Sequence, residues 1–173
     1  MQHAKHETGA QSSKQNSNTH GGHSEGHYGR LTLMVVLSFI AMYFLMYAMV
    51  DSFSNVKSNL NQAYMAGLMT APMAMLELAF MGSMYPNKRF NAIIVVVMVI
   101  LLAGCWFGIR QQWLIGDQQF LRSMIPHHAG AILMCEEASV RDPRIVALCQ
   151  NIESSQKEEI AQMKALLAAQ DEG

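Results

Sequence analysis

Charge is what this sequence most conspicuously lacks. Of its 173 residues only 14% are Asp, Glu, Lys or Arg, while 51% are hydrophobic. A soluble domain carries about 25% charged residues, so much of the chain is expected to face something other than water. The net charge of −1 and pI near 6.6 leave no basic footprint for nucleic acid. Cysteine is scarce as well, and three residues are too few for a disulfide scaffold. Phe, Tyr and Trp number 7, 5 and 2 against 15 Met, so methionine is the main large side chain after the aliphatics. No nucleophile–base pair, phosphate loop or metal-hydrolase motif stands out, and the protein is expected not to be an enzyme. At 19.3 kDa the chain has room for one domain, or a small domain with appendages.

Residues 1–30 are polar and offer almost nothing to bury, which predicts a disordered tail. Five of the seven histidines fall in it, His3, His6, His20, His23 and His27. Clustered imidazoles on a flexible tail bind Cu(II), Ni(II) or Zn(II) loosely; the bland reading is a solvated leader. Three apolar runs follow, Leu31–Val50, Ala63–Tyr85 and Ala92–Ile109, each near the ~20 helical residues needed to cross a bilayer. The first lacks a compact basic start and a cleavage site, so it is expected to stay as an anchor. Lys5, Lys14, Arg30, Lys88 and Arg89 fall on one side of a three-pass arrangement, and Lys57, Arg110 and Arg122 on the other. In an integral inner (plasma) membrane protein, the positive-inside bias therefore favours a cytoplasmic tail and an outward-facing C-terminus. The second run steps through Met65, Met69, Met73, Glu77 and Met81, and the first places Met42, Met46 and Met49 on one face. Such stripes serve packing, but a carboxylate inside a span is a functional candidate. Met69, Met73 and Glu77 are accordingly a secondary candidate for a membrane-level metal site.

Residues 110–173 have mixed polarity. Asp117 can open a helix to about Ser139. Asp142-Pro143 reads as an N-cap followed by proline at the first helical position, opening a second helix to about Gln170. The short link predicts an antiparallel hairpin, making the fold all-α: three transmembrane helices, then a helical hairpin. Asp117, Phe120, Met124, His127, His128, Ala131, Met134, Cys135 and Ala138 share one face of the first helix. A turn near residue 142 sets Cys135 opposite Cys149, His127 and His128 opposite Gln156 and Lys157, and Met124 opposite Ile160, with Met163 nearby. Thioethers and imidazoles suit Cu(I), and imidazole also suits Cu(II) or Zn(II); inward carboxylates are few. The alternative is that the methionines only fill the core. Adjacent histidines point 100° apart, so both hold one ion only if Pro126 distorts the helix or a second chain contributes. Cys135 and Cys149 are a disulfide in an oxidising compartment, two further soft ligands in a reducing one, or small buried hydrophobes. Cys105 is expected to pack within the third span.

The stretch Phe120-Leu121-Arg122-Ser123-Met124-Ile125-Pro126-His127-His128-Ala129-Gly130-Ala131-Ile132-Leu133-Met134, followed by Ile152, Gln156, Glu159, Ile160 and Met163, resembles the "domain of unknown function 305" family. This is a ferritin-like helical family with CopM-like copper-binding members, and the likeness covers about residues 117–167. The resemblance implies a four-helix-bundle setting, an extracytoplasmic location and copper bound through Met124, His127, His128, Met134 and Met163. Gln156 and Glu159 would be auxiliary groups. Two amphipathic helices bury too little to stand alone, so a homodimer through residues 117–167 is expected to complete the bundle, with docking of the hairpin on the membrane domain as the alternative. Two readings remain open: a membrane-anchored copper-binding protein serving tolerance, storage or delivery, with copper-trafficking proteins as partners, or an assembly subunit whose hairpin docks on a partner without metal.

Overall fold

Apolar runs, polar breaks and caps divide the chain into five helices, with no strand among the described residues. The computed structural model describes residues 21–171. Its helices are α1 (Gly21–Leu45), α2 (Leu60–Phe80), α3 (Lys88–Gln111), α4 (Asp117–Glu137) and α5 (Pro143–Asp171). Short 3-10 turns occupy Met46–Met49, Phe53–Asn55 and Gly82–Met84. Asn59 and Asn87 cap α2 and α3 by accepting from the backbone N–H groups of Gln62 and Phe90, each satisfying one free amide of a first turn. Asp142 does the same for α5, accepting from the Arg144 amide at 2.9 Å, with Pro143 in the position where a missing N–H costs nothing. The sequence expectation for that helix start is met.

Three segments, Gly26–Met49, Leu60–Phe80 and Lys88–Gln111, are long and apolar enough to cross a membrane. Leu33, Leu37, Ile93, Val96 and Ile100 face outward from them, as suits a lipid surroundings. α2 is the middle helix and packs against both α1 and α3. Its buried face is built of small residues, Ala66, Gly67, Thr70, Ala71 and Ala74, which let backbones approach in a bilayer, where water supplies no driving force. Pro72 lies inside α2 and removes one helical hydrogen bond without ending the helix. Tyr28, Tyr85 and Phe90 pack together at one end of the spans. Tyr43 and Tyr47 pair at the other, where the Tyr64 hydroxyl donates to the Trp113 carbonyl at 2.9 Å.

α1 begins at Gly21, so the last ten residues of the expected disordered tail are helical. The helix extends back from the apolar run, and Tyr28 anchors it by donating to Asn91 Oδ1 at 2.7 Å. The second span also lies earlier than the apolar run suggests, because Asn59 caps α2 and a 3-10 turn takes up residues 82–84.

Helices α4 and α5 pack along one another over an apolar seam. Leu121, Ile125, Ala129 and Ile132 meet Ile160 and Leu167, with Met163 and Val50 against them. The end of the spans where α1 finishes, α2 begins and α3 finishes carries α4. Gln119 Oε1 accepts from the Leu60 amide at 3.1 Å, and Asn61 Nδ2 donates to Ser123 Oγ at 3.3 Å. A Cβ on Gly130 would lie 3.2 Å from the Met49 carbonyl oxygen, so glycine lets α4 rest directly on the turn after α1.

Gly67 tests the span packing. A Cβ there would sit 2.7 Å from Cys105 Sγ, so Gly67→Val is expected to destabilise the protein by about 1–3 kcal/mol, the usual cost of overpacking. The thermal midpoint in detergent, followed by circular dichroism, should fall, and adding Cys105→Ala should recover part of the loss.

Candidate metal site

The docking of α4 on the spans leaves a cavity of about 440 Å³ between them. From α4 it is lined by Ser123, Met124, Pro126, His127, Gly130, Ala131 and Met134. The turn after α1 adds Met46, Tyr47, Met49 and Val50, and the start of α2 adds Asn59, Asn61, Gln62 and Met65. Five thioethers and one imidazole thus share one space, and no Asp, Glu, Lys or Arg lines it. The side chains belong there for local reasons. On α4, residues 124, 127, 131 and 134 recur at helical spacing and share one face. In the 3-10 turn, residues 46 and 49 are three apart and eclipse one another. The walls are fixed by hydrogen bonds: Tyr47 donates to the Lys57 carbonyl at 2.8 Å and Gln62 Nε2 to the Tyr43 carbonyl at 3.3 Å.

Adjacent histidines separate here as helical geometry requires. His127 is exposed and opens into the cavity. His128 turns toward α5, its ring centroid 6.1 Å from that of His127. The Met124 carbonyl can only accept, so His128 Nδ1 donates to it at 3.0 Å, while Nε2 meets Glu159 Oε2 at 2.7 Å. Both ring nitrogens are engaged, and in this arrangement His128 ties α4 to α5. The expected neighbours of the pair were Gln156 and Lys157. Glu159 lies one turn beyond Gln156 on the same side, and its carboxylate makes the stronger, charge-assisted bond. Lys157 instead binds Glu136 at 2.8 Å.

Of the residues singled out from sequence, the structure brings Met124, His127 and Met134 together at the cavity. Met163 packs on the α4–α5 seam, and Gln156 and Glu159 are not among the cavity-lining residues. Met69 is exposed, Met73 is partly buried, and neither lines the cavity. Glu77 lies at the opposite end of the spans, near Tyr85. His27 sits on α1, away from the cavity, whereas His3, His6 and His20 and the His23 side chain lie outside the described residues. Among the described residues, no three His, Cys, Asp or Glu side chains converge as a metal-holding group. The donors that do converge are therefore mainly thioethers. Met46, Met49 and Met65 were readable in sequence only as parts of apolar stripes. What could have marked them is their place around the connection between α1 and α2, at the same end of the spans as α4.

The three cysteines are free thiols. Cys105 is buried against Gly67, the packing role expected of it. Cys135 and Cys149 face each other across α4 and α5 as expected, but as a hydrogen-bonded thiol pair and not a disulfide. Sharing that hydrogen bond, with desolvation and the nearby Glu153 charge adding to it, pushes Cys135 up to about 11.

The model of the family described as "Domain of unknown function (DUF305)" matches residues 116–172. An uncharacterized protein of Acanthamoeba polyphaga mimivirus is 34% identical over 140 residues, which covers 79% of this chain and 90% of that one. No solved structure matches. The chain belongs to the DUF305 family. The viral alignment is too long to fit within residues 116–172, so that likeness takes in part of the spans as well.

The thiol pair is open to a reactivity test. Only the thiolate attacks an alkylating reagent, and a raised pKa depletes it at neutral pH. Alkylation of Cys135 at pH 8, followed by peptide mass spectrometry, is expected to run on the order of 100-fold below an ordinary thiol and to accelerate up to about pH 11. In Cys149→Ala the reactivity should return to the ordinary range.

Proposed function

We propose that this membrane-anchored member of the family binds copper as cargo, chiefly as Cu(I), in metal tolerance, storage or delivery. The observation that carries this reading is that Met124, His127 and Met134 line one cavity free of charged side chains. Thioethers are soft neutral donors that favour Cu(I), and imidazole serves either copper oxidation state. Calcium and magnesium want several oxygens, mostly carboxylate, and the cavity offers none of these carboxylates. The donors act by ligand exchange, one sulfur or nitrogen replacing another on the ion, with no change of oxidation state. His128 acts indirectly: its bonds to the Met124 carbonyl and to Glu159 fix the turn of α4 that presents Met124 and His127.

The finer features of this reading follow the same physics. α4 and α5 form a ferritin-like half bundle, and a second copy completes four helices. Ile145, Leu148 and Leu166 on α5 are 46%, 56% and 57% exposed, and such a partner would cover them. With the protein in the plasma membrane, the basic residues flanking the spans favour a cytoplasmic tail, so that the cavity opens on the outer side. Copper-trafficking proteins are then the natural donors or acceptors. The imidazoles of the N-terminal region, His3, His20, His23 and His27, add loose sites for Cu(II).

The test is an anaerobic Cu(I) competition titration on the full-length protein in detergent. The variant Met124→Leu/His127→Ala/Met134→Leu is expected to bind at least on the order of 100-fold more weakly than wild type. Equal affinities would remove the copper reading and favour a metal-free assembly subunit, for which the exposed apolar residues of α5 are the docking face.

A further inference from the structure

We infer that the soft-cation site is completed by the membrane spans: Met46, Met49 and Met65 supply thioether ligands to the ion that Met124, His127 and Met134 hold from α4. This rests on the copper reading above and extends it to residues that lie outside the family-matched segment of 116–172. All six side chains line the same cavity. Methionines that serve only as core filler are covered by their neighbours. Here Met49, Met65 and Met134 are 56%, 40% and 56% exposed although each lies at the cavity. Because residues 46 and 49 sit in a 3-10 turn, their side chains leave the backbone on one side, which is the side α4 covers.

The surroundings suit a singly charged soft ion. Six neutral donors carry no charge to balance, and the other polar walls are amides and hydroxyls of Asn59, Asn61, Gln62, Gln112, Ser123 and Tyr47. A divalent hard cation would meet no anionic oxygen there. More donors are present than one Cu(I) needs, so the ion can exchange ligands between the span set and the α4 set without leaving the cavity. That arrangement places the cargo at the mouth of the three spans, where α1 and α3 finish and α2 begins. It also makes the site conditional on the contact between α4 and the turn, which Gly130 permits.

Two full-length variants in detergent test the inference. Met46→Leu/Met49→Leu/Met65→Leu removes the span sulfurs while nearly preserving volume, a swap that cores tolerate well. Gly130→Leu keeps every donor but pushes α4 off the Met49 carbonyl. Each is expected to lower Cu(I) affinity by about 10–100-fold in the competition titration. Copper K-edge absorption of the loaded triple variant should show fewer sulfur neighbours than wild type. Helicity and thermal midpoint report whether each variant folds, and the single Met49→Leu, read by sulfur count, replaces the triple variant if it does not. Wild-type affinity and sulfur count in these variants, with affinity lost in Met124→Leu/His127→Ala/Met134→Leu, would overturn the inference and leave the copper reading standing. Failure of the wild-type protein to compete for Cu(I) would overturn both.

Discussion

The close approach of α4 to the turn after α1 is the constraint on which the rest of the molecule depends. At Gly130 the fit is tight: a Cβ would lie 3.2 Å from the Met49 carbonyl oxygen, closer than ordinary van der Waals contact. With that contact made, Val50 joins the apolar seam of α4 and α5, and Gln119 and Ser123 reach the first turn of α2. Lys164 reaches Ser54 in the loop from the far side, at 3.4 Å. The family-matched helices are thus seated on the spans, and the gap beside the seat is the thioether-lined cavity. A larger residue at 130 would lift one wall of that cavity from the other.

Division of labour between the two histidines follows from the same seating. Neighbouring helical residues point about 100° apart, so when α4 presents His127 to the cavity, His128 must face α5. There it bridges its own helix and Glu159. Glu159 is half exposed, at 49%, so this contact adds little stability by itself; its use is to fix the rotation of α4. The carboxylates near the site are spent on such ties, Glu159 on His128 and Glu136 on Lys157. What remains at the cavity is neutral, which sets its preference toward soft cations of low charge.

Much of this architecture was legible in the sequence. Three apolar runs revealed the spans, and Asp142-Pro143 marked the start of α5, because capping and hydrophobic length are local properties. The facing of Cys135 and Cys149 followed from counting about a turn. What stayed hidden was whatever depends on two distant segments meeting. Helical periodicity put Met124, His127, Met134 and Met163 near one another, but could not tell which would face α5 and which the spans. The structure sends Met163 to the seam and the other three to the cavity. Met46, Met49 and Met65 could not be joined to α4 by any pattern, since the contact that unites them is a glycine against a backbone carbonyl some 80 residues earlier. The polar character of residues 21–30 also misled, because helix propagation from an apolar run and one anchored tyrosine outweigh local composition.

The central claim is that soft donors from α4 and from the spans meet at one place. It is tested most directly by locating the ion. In crystals of the full-length protein loaded with Ag(I), a redox-inert stand-in for Cu(I), the anomalous signal is expected inside the cavity. It should lie within bonding distance of His127 or Met124 and of at least one of Met46, Met49 and Met65. Silver found only in the His-bearing tail, at the His128–Glu159 pair, or nowhere in the protein would contradict the account.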